Sequence, residues 1–212
     1  MRYSHDLKLA LVSNWKCGCS TIATIFNPYT EWNWQTREQC MVIHGRPYAE
    51  MAHSSAAQQR REFKRRGWDW SDYRSISSVR NPWARTLSLY KYEERIAKGT
   101  FGWTFDDYVV RRLKLWKGGR INRWNTREMF HDWRGRRLVD HVVRLENLAE
   151  ELGEVVAEHW PQLEVDFSRR VNTTKHDHYS SYYSPRTRDI VAKHFAYDIA
   201  EWGYEFEEPS VI

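Results

Sequence analysis

A short loop with one lysine, one glycine and a serine–threonine pair is the first stretch of the sequence that could do chemistry. It follows the apolar run 7–12 and precedes apolar residues at helical spacing, so the pattern predicts a strand, a tight loop and a helix. Such a loop presents backbone N–H groups at a helix N-terminus, where the helix dipole favours an anion. The stretch therefore predicts a phosphate-binding loop. Its residues are Lys16, Cys17, Gly18, Cys19, Ser20 and Thr21.

This loop does not have the Walker A pattern of nucleotide-binding proteins. That pattern, G-x-x-x-x-G-K-[ST], places the lysine directly before the serine or threonine. Here Lys16 lies before the glycine and four residues ahead of Ser20. An ordinary strand-to-helix turn capped by a serine is the alternative interpretation of the same residues.

A second group of residues suited to an anion lies at another strand-to-helix junction. The run 73–79 predicts a strand, and Asn81 with the proline after it predicts a helix start. Arg80 then stands at the carboxyl end of a strand, where ligands of open α/β sheets collect. Helical spacing puts Arg85 and Ser88 on the face of Asn81, so we expect Arg80 and Ser88 to converge on one anion with Arg85 close by. A surface ion pair of an arginine is the alternative.

The two motifs, in this order, resemble those of the PAPS-dependent sulfotransferases, most closely the branch with the carbohydrate sulfotransferases of heparan and chondroitin type. The segment 16–21 is similar to the family's 5′-phosphosulfate loop, and 80–90 is similar to its 3′-phosphate motif R-[DN]-P-[WF]-x-R-x-x-S-x-[YF]. The C-terminal part looks similar as well, with Asn172-Thr173-Thr174, the tyrosines at 182–183 and the ending Gly203-Tyr204-Glu205-Phe206. The resemblance spans nearly the whole chain.

The resemblance implies a P-loop-NTPase-like sulfotransferase fold and PAPS as the sulfuryl donor, with PAP as product and no metal required. It implies that segment 16–21 holds the 5′-phosphosulfate and that Arg80 and Ser88 hold the 3′-phosphate. It also implies a loop that closes over the nucleotide. The residues of that loop would be Thr173, Thr174 and Lys175.

Sulfuryl transfer is an in-line displacement in which negative charge grows on the bridging oxygen of the leaving phosphate. The Lys16 ammonium and the loop N–H groups are suited to stabilise that charge. The acceptor hydroxyl needs a general base, and a histidine has a suitable pKa. His44 follows the apolar run 40–43, and this place resembles the one where the uronyl 2-O-sulfotransferases carry their histidine base. A histidine that caps a strand end is the alternative. The other candidate bases are His53, Glu50 and Glu31.

Strand patterns alternate with helical patterns along the chain, which predicts an α/β fold with a mostly parallel sheet. Short apolar or alternating runs predict the strands, and capping residues with helical periodicity predict the helices. We expect a single sulfotransferase domain over residues 1–212. The predicted strands are 7–12, 40–43, 73–79 and 139–145, and the predicted helices cover 53–66, 82–97, the segment after 104, the segment after 147 and 184–203.

The charge and cysteine content narrow the choice of partner and compartment. A net charge of +5 and a pI near 9.1 favour anionic partners. The odd count of three cysteines favours a reduced, cytoplasmic compartment. The resemblance implies the alternative, an excised soluble domain of a Golgi membrane enzyme. Cys17, Cys19 and Cys40 lack a fourth ligand at a usual zinc spacing, so we expect no metal. We also see no signal peptide and expect no membrane span.

A basic and tryptophan-rich segment, 116–137, suits an acidic saccharide because aromatic faces stack on sugar rings and arginines pair with carboxylates or sulfates. A basic surface loop with buried tryptophans fits equally. We therefore expect a hydroxyl acceptor that is an acidic or neutral saccharide, and no nucleic acid. The rival functions are a P-loop-type kinase, weakened by the missing Walker A pattern, and a non-enzymatic glycan- or nucleic-acid-binding module. The residues in question are Lys117, Arg120, Arg123, Arg127, Arg134, Arg136 and Arg137, among Trp116, Trp124 and Trp133.

Overall fold

Four strands form one sheet in the computed structural model, which describes residues 1–31, 53–98, 102–115, 125–169, 171 and 176–208. The strands lie side by side in chain order: β1 (Arg2–Ser4), β2 (Leu9–Val12), β3 (Arg74–Val79) and β4 (His141–Arg144). β1 is antiparallel to β2, whereas β2, β3 and β4 run parallel. The predicted α/β fold with a mostly parallel sheet is thus confirmed. The strand predicted at 40–43 lies outside the described residues.

Helices connect and follow the strands, as the alternating pattern predicts. No helix among the described residues is long and apolar enough to cross a membrane. The described α-helices are α1 (Cys19–Ile25), α2 (Ala56–Arg65), α3 (Pro82–Ile96), α4 (Phe105–Leu115), α5 (Thr126–Phe130), α6 (Leu148–His159), α7 (Pro185–His194) and α8 (Ala196–Trp202).

The described residues divide into two compact units. The first contains 1–79 and 126–172, and the second contains 80–125 and 173–212. The sheet with α1, α2, α5 and α6 belongs to the first unit, and the remaining helices belong to the second. The single sulfotransferase domain over 1–212 stays a prediction.

The core of the first unit lies between the sheet and two helices. Leu9, Leu11 and Ile76 of the strands pack with α1 and α6, which contribute Phe26, at the C-cap of α1, and Leu152. Each of these side chains is at most 3% exposed. Full burial of an aliphatic or aromatic side chain contributes about 1.5–3 kcal/mol, so this cluster holds the two helices against the sheet.

β3 is buried along almost its whole length although half of it is serine. Buried hydroxyls need partners, and two of these serines find them on a backbone carbonyl and a carboxylate of the neighbouring strands' segments. Ser77 Oγ donates to the carbonyl of Val12 on β2, and Ser75 Oγ donates to the Asp140 carboxylate just before β4. The serines therefore join the central strand to both neighbours.

The helix starts follow the local capping signals in most cases. Ser55 and Gln58 form a capping box at α2, and Asn81 Oδ1 accepts hydrogen bonds from the first two backbone N–H groups of α3, as predicted. At α6 the N-cap residue Asn147 makes no side-chain capping hydrogen bond. There the Glu151 carboxylate accepts from the backbone N–H of Arg144 instead, because that donor lies at the end of β4 close to the helix start.

The second unit packs α3 against the helices near the C-terminus. Trp83 Nε1 donates to the carbonyl of Arg188 at 3.0 Å, and Tyr183 OH donates to the carbonyl of Trp83 at 2.9 Å. The single last helix expected over 184–203 is in fact two, α7 and α8, which meet at Phe195. Its predicted end at Gly203 is confirmed, with a φ of 65° that suits glycine.

Candidate functional site

The predicted strand, loop and helix around Lys16 form as expected. β2 ends at Val12, the loop turns through Lys16 and Gly18 with φ angles of 62° and 78°, and α1 begins at Cys19. A positive φ at lysine is uncommon, because a Cβ crowds the carbonyl in that region. The surrounding structure must therefore hold the loop in this shape.

Two hydrogen bonds fix the loop to the carboxyl end of β3, and a third closes the loop on itself. The buried Asn14 side chain donates from Nδ2 to the carbonyl of Ser78 at 3.0 Å, and Ser78 Oγ donates to the carbonyl of Cys17. The backbone N–H of Cys17 donates back to the Asn14 carbonyl at 3.3 Å. Cys17 is fully buried with its N–H engaged, so its contribution is to hold the loop in shape.

Two cations, Lys16 and Arg2, lie close enough to the start of α1 for their charges to act on the Cys19 thiol. Burial raises the pKa of the Cys19 thiol, and the charges of Lys16 and Arg2 act in the opposite direction on that pKa. Arg2 is only 7% exposed and is paired with Leu11 in the β1–β2 ladder, near the loop end of β2. Arg2 could not be recognised as a candidate from the sequence, since a strand of three residues leaves no readable pattern.

The first turn of α1 carries no acidic residue, and its N-cap, Gly18, has no side chain to accept from the backbone N–H groups. Thr21 lies in this turn, and its Oγ1 accepts from the backbone N–H of Val171 at 3.3 Å. That bond ties the chain just before the predicted nucleotide-covering segment to the loop. The segment itself, Thr173, Thr174 and Lys175, lies outside the described residues.

His53 is the candidate base that the structure brings to the loop. Its Nδ1 lies 3.1 Å from the carbonyl oxygen of Ser13, and its ring stacks on Trp15 with centroids 5.5 Å apart and an interplanar angle of 18°. A carbonyl only accepts, so Nδ1 carries the proton and the neutral ring has its lone pair on Nε2.

The other candidate bases are placed differently. Glu31 binds the backbone N–H of His5 in the turn before β2, which is the opposite end of that strand from the Lys16 loop. Glu31 is thus not brought to the loop. His44 and Glu50 lie outside the described residues.

The Arg80 motif belongs to the second unit and is built on a well-anchored helix start. Asn81 is 2% exposed, and its Nδ2 donates to the carbonyl of Glu205 at 2.9 Å while Oδ1 caps α3. Arg80 and Ser88 are both half-buried. Arg85, which we expected close to Arg80 and Ser88, is buried, and its guanidinium lies 3.7 Å from the Asp198 carboxylate of α8.

Comparisons of the chain with protein-family models, with curated protein sequences and with solved structures gave no match. Any function must therefore be inferred from the residues of the two motifs. In each unit, the motif lies where a strand ends or a helix begins, as the sequence predicts.

Gly18→Ala should destabilise the protein, since the loop needs glycine at this position twice over. Its φ of 78° costs other residues about 1–2 kcal/mol, and an added Cβ would overlap Cδ1 of Leu145. We expect the free energy of unfolding in urea to fall by more than that backbone cost. Gly67→Ala is the matched control, with the same φ and no atom within 4 Å of its Cβ position. Equal losses in the two variants would contradict a steric role for Leu145.

Proposed function

We propose that the protein is a PAPS-dependent sulfotransferase that transfers a sulfuryl group to a hydroxyl, with a carbohydrate as the acceptor. The observation that carries the proposal is the Lys16 loop. It combines a glycine N-cap, two nearby cations and a first helical turn without acidic residues. The positive charge of this environment favours an anion over a neutral ligand.

In the proposed reaction, PAPS supplies the sulfuryl group. The loop residues have two tasks, to bind the 5′-phosphosulfate and to stabilise charge on the bridging oxygen as the bond from sulfur to that oxygen breaks. The Lys16 ammonium performs the second task, with the N–H groups of the first turn of α1. Arg2 adds positive potential from β1.

Arg80 and Ser88 are proposed to bind the 3′-phosphate of the donor. A guanidinium pairs with phosphate through two parallel hydrogen bonds, and a serine hydroxyl adds one more donor. The anchoring of Asn81 supports this role, because it fixes the backbone from which the Arg80 side chain extends. Arg85 is not part of the proposed site, since Asp198 holds it in the interior of the second unit.

The general base takes the proton of the acceptor hydroxyl as the new bond to sulfur forms. His44 is the base that the resemblance implies. His53 has support from the described contacts, since the Ser13 carbonyl holds its Nδ1–H and leaves the lone pair on Nε2. We propose that one of these two histidines is the base.

Calorimetric titration with adenosine 3′,5′-bisphosphate tests the proposal. We expect one binding site in the wild type and affinity about 10- to 100-fold weaker in Arg80→Ala, the range expected for a lost charged hydrogen bond. Arg186→Ala is the control, because Arg186 is an exposed arginine of the same unit on α7. A screen with labelled PAPS should then identify the acceptor. Binding and turnover of ATP with magnesium, and no heat with the bisphosphate, would instead establish the kinase alternative.

A further inference from the structure

A large pocket lies in the first unit between α2 and the turn 131–137. Its volume is about 970 Å3, which lies within the size range of ligand-binding cavities. One wall is α2, and the other is the turn, which is closed by the His131–Arg137 bridge and a backbone hydrogen bond from Asp132 to the Arg136 carbonyl. The residues that matter for its chemistry are Arg60, Arg61, Lys64, Asp69, Asp132, Trp133, Arg134 and Arg136.

The pocket lies near the amino ends of β3 and β4, whereas the Lys16 loop lies at the carboxyl ends of the parallel strands. Trp70 and Leu138, which line it, lie a few residues before β3 and β4, and Trp70 Nε1 donates to the Leu138 carbonyl at 3.0 Å. The Lys16 loop contacts Ser78, near the other end of β3. Six strand residues span roughly 20 Å. The pocket is therefore a separate site on the first unit.

The charge of the pocket is strongly positive. Five cationic side chains line it against two carboxylates, and both carboxylates are engaged within the protein. Asp69 Oδ1 accepts from the backbone and hydroxyl of Ser71, which lowers the pKa of Asp69. For Asp132, burial raises the pKa, but hydrogen bonds from the backbone of Arg136 and Arg134 and the Arg136 charge lower it overall.

The cationic side chains of the pocket differ in their ion pairs within the protein. Asp132 Oδ2 contacts Arg136 at 3.2 Å and Arg60 at 3.9 Å. Arg61 and Lys64 are exposed on α2 and make no ion pair with any residue that the structure describes. The Arg134 guanidinium lies 4.6 Å from the centre of the Trp133 ring. The pocket thus offers several cations to an anionic ligand.

Trp133 provides an aromatic surface at the tip of the turn. It is 86% exposed, an unusual state for a tryptophan. By contrast, Trp70 is buried, and Trp68 packs against Phe63 and Tyr3. Among the described residues that line the pocket, a single tryptophan is therefore presented to solvent beside the cations.

We propose that this pocket binds an acidic oligosaccharide, with Trp133 against a sugar ring and the cations of α2 and the turn pairing with carboxylate or sulfate groups. One aromatic platform among cations on two walls favours this ligand over single-stranded nucleic acid, which is bound by stacking successive bases on several aromatic side chains. The site does not depend on the proposed sulfotransferase activity.

Isothermal titration of the full chain with a heparin hexasaccharide tests the site. We expect about tenfold weaker binding in Trp133→Ala, recovery of most of the affinity in Trp133→Phe, and weaker binding with a shallower salt dependence in the double variant Arg61→Gln/Lys64→Gln. The double variant Arg186→Gln/Lys193→Gln is the matched control, since it removes two exposed charges from α7. It should bind like the wild type.

Two further measurements distinguish the pocket from the Lys16 site and an oligosaccharide ligand from a nucleic acid. Lys16→Ala should bind the hexasaccharide with unchanged affinity, so a failure of the sulfotransferase proposal and a failure of this one are distinguishable. An oligothymidine of equal charge should bind more weakly than the hexasaccharide. The proposal is overturned if the oligothymidine binds more tightly and its binding depends on Trp133, or if the pocket variants and the α7 control all bind the hexasaccharide like the wild type.

Discussion

Replacing Lys16 with alanine should lower the turnover number for sulfuryl transfer by about 10²–10³-fold, the usual effect of removing one group that stabilises transition-state charge. The ammonium would face oxygen that becomes fully charged only when the sulfuryl group leaves. We therefore expect a smaller effect on the affinity for adenosine 3′,5′-bisphosphate than on turnover. The measurement is transfer of labelled sulfuryl from PAPS to the acceptor found by screening.

Lys8→Ala is a close control for that variant. Lys8 is also a lysine with a positive φ, 51°, and it directly precedes β2 just as the Lys16 loop follows it. The two variants remove the same charge and change the backbone preference in the same way. If Lys8→Ala lowers turnover as much as Lys16→Ala, a general effect of charge or stability accounts for the loss.

The same assay distinguishes His44 from His53 as the general base. The variant that lacks the general base should lose about 10²–10⁴-fold in turnover while keeping its affinity for the bisphosphate. His53→Ala and His44→Ala are compared for this reason. Full activity in both variants would move the base to another residue, with Glu50 the next candidate from the sequence.

Replacing Asp198 with alanine should cost about 3–5 kcal/mol of stability, because it leaves the Arg85 guanidinium buried without its carboxylate. Arg85 and Asp198 are each 3% exposed, and their charged atoms lie 3.7 Å apart. For a chain of this size the loss corresponds to a fall in Tm of roughly 6–20 °C. Thermal unfolding followed by circular dichroism measures it.

Asp189→Ala is the matched control, since Asp189 is an exposed aspartate on α7 in the same unit. It should melt within about 1–2 °C of the wild type, as exposed substitutions usually do. Replacing the pair with apolar residues, as in Arg85→Met/Asp198→Leu, should recover much of the lost stability. Equal Tm values for the Asp198 and Asp189 variants would show that the buried ion pair contributes no more to stability than an exposed aspartate does.

Local signals explain what the sequence could predict. The strand, loop and helix at Lys16 and the start of α3 at Asn81 depend on neighbours within a few residues, and both form as expected. Contacts between distant segments could not be read from a pattern. Arg85 meets a carboxylate 113 positions later along the chain, and His53 meets Ser13 from 40 positions away.

The basic pocket also depends on a contact between distant segments that the sequence does not predict. Arg61 and Lys64 on α2 look like an ordinary solvated helix face in the sequence. They become one wall of a pocket only because the turn around Trp133 folds against α2, and nothing in either segment alone indicates the other. Charge and aromatic content favour an anionic partner, but the location of the proposed site could be found only from the fold.

The serines of β3 also determine how the parallel strands can align. A shift of β3 by one residue would turn Ser75 and Ser77 toward the apolar core and Ile76 away from it. The shifted hydroxyls would lose the Val12 carbonyl and the Asp140 carboxylate, at about 1–3 kcal/mol for each buried group left unsatisfied. A purely aliphatic strand would tolerate such a slip more easily, so the hydroxyls select one register and with it the position of the loop that Ser78 holds.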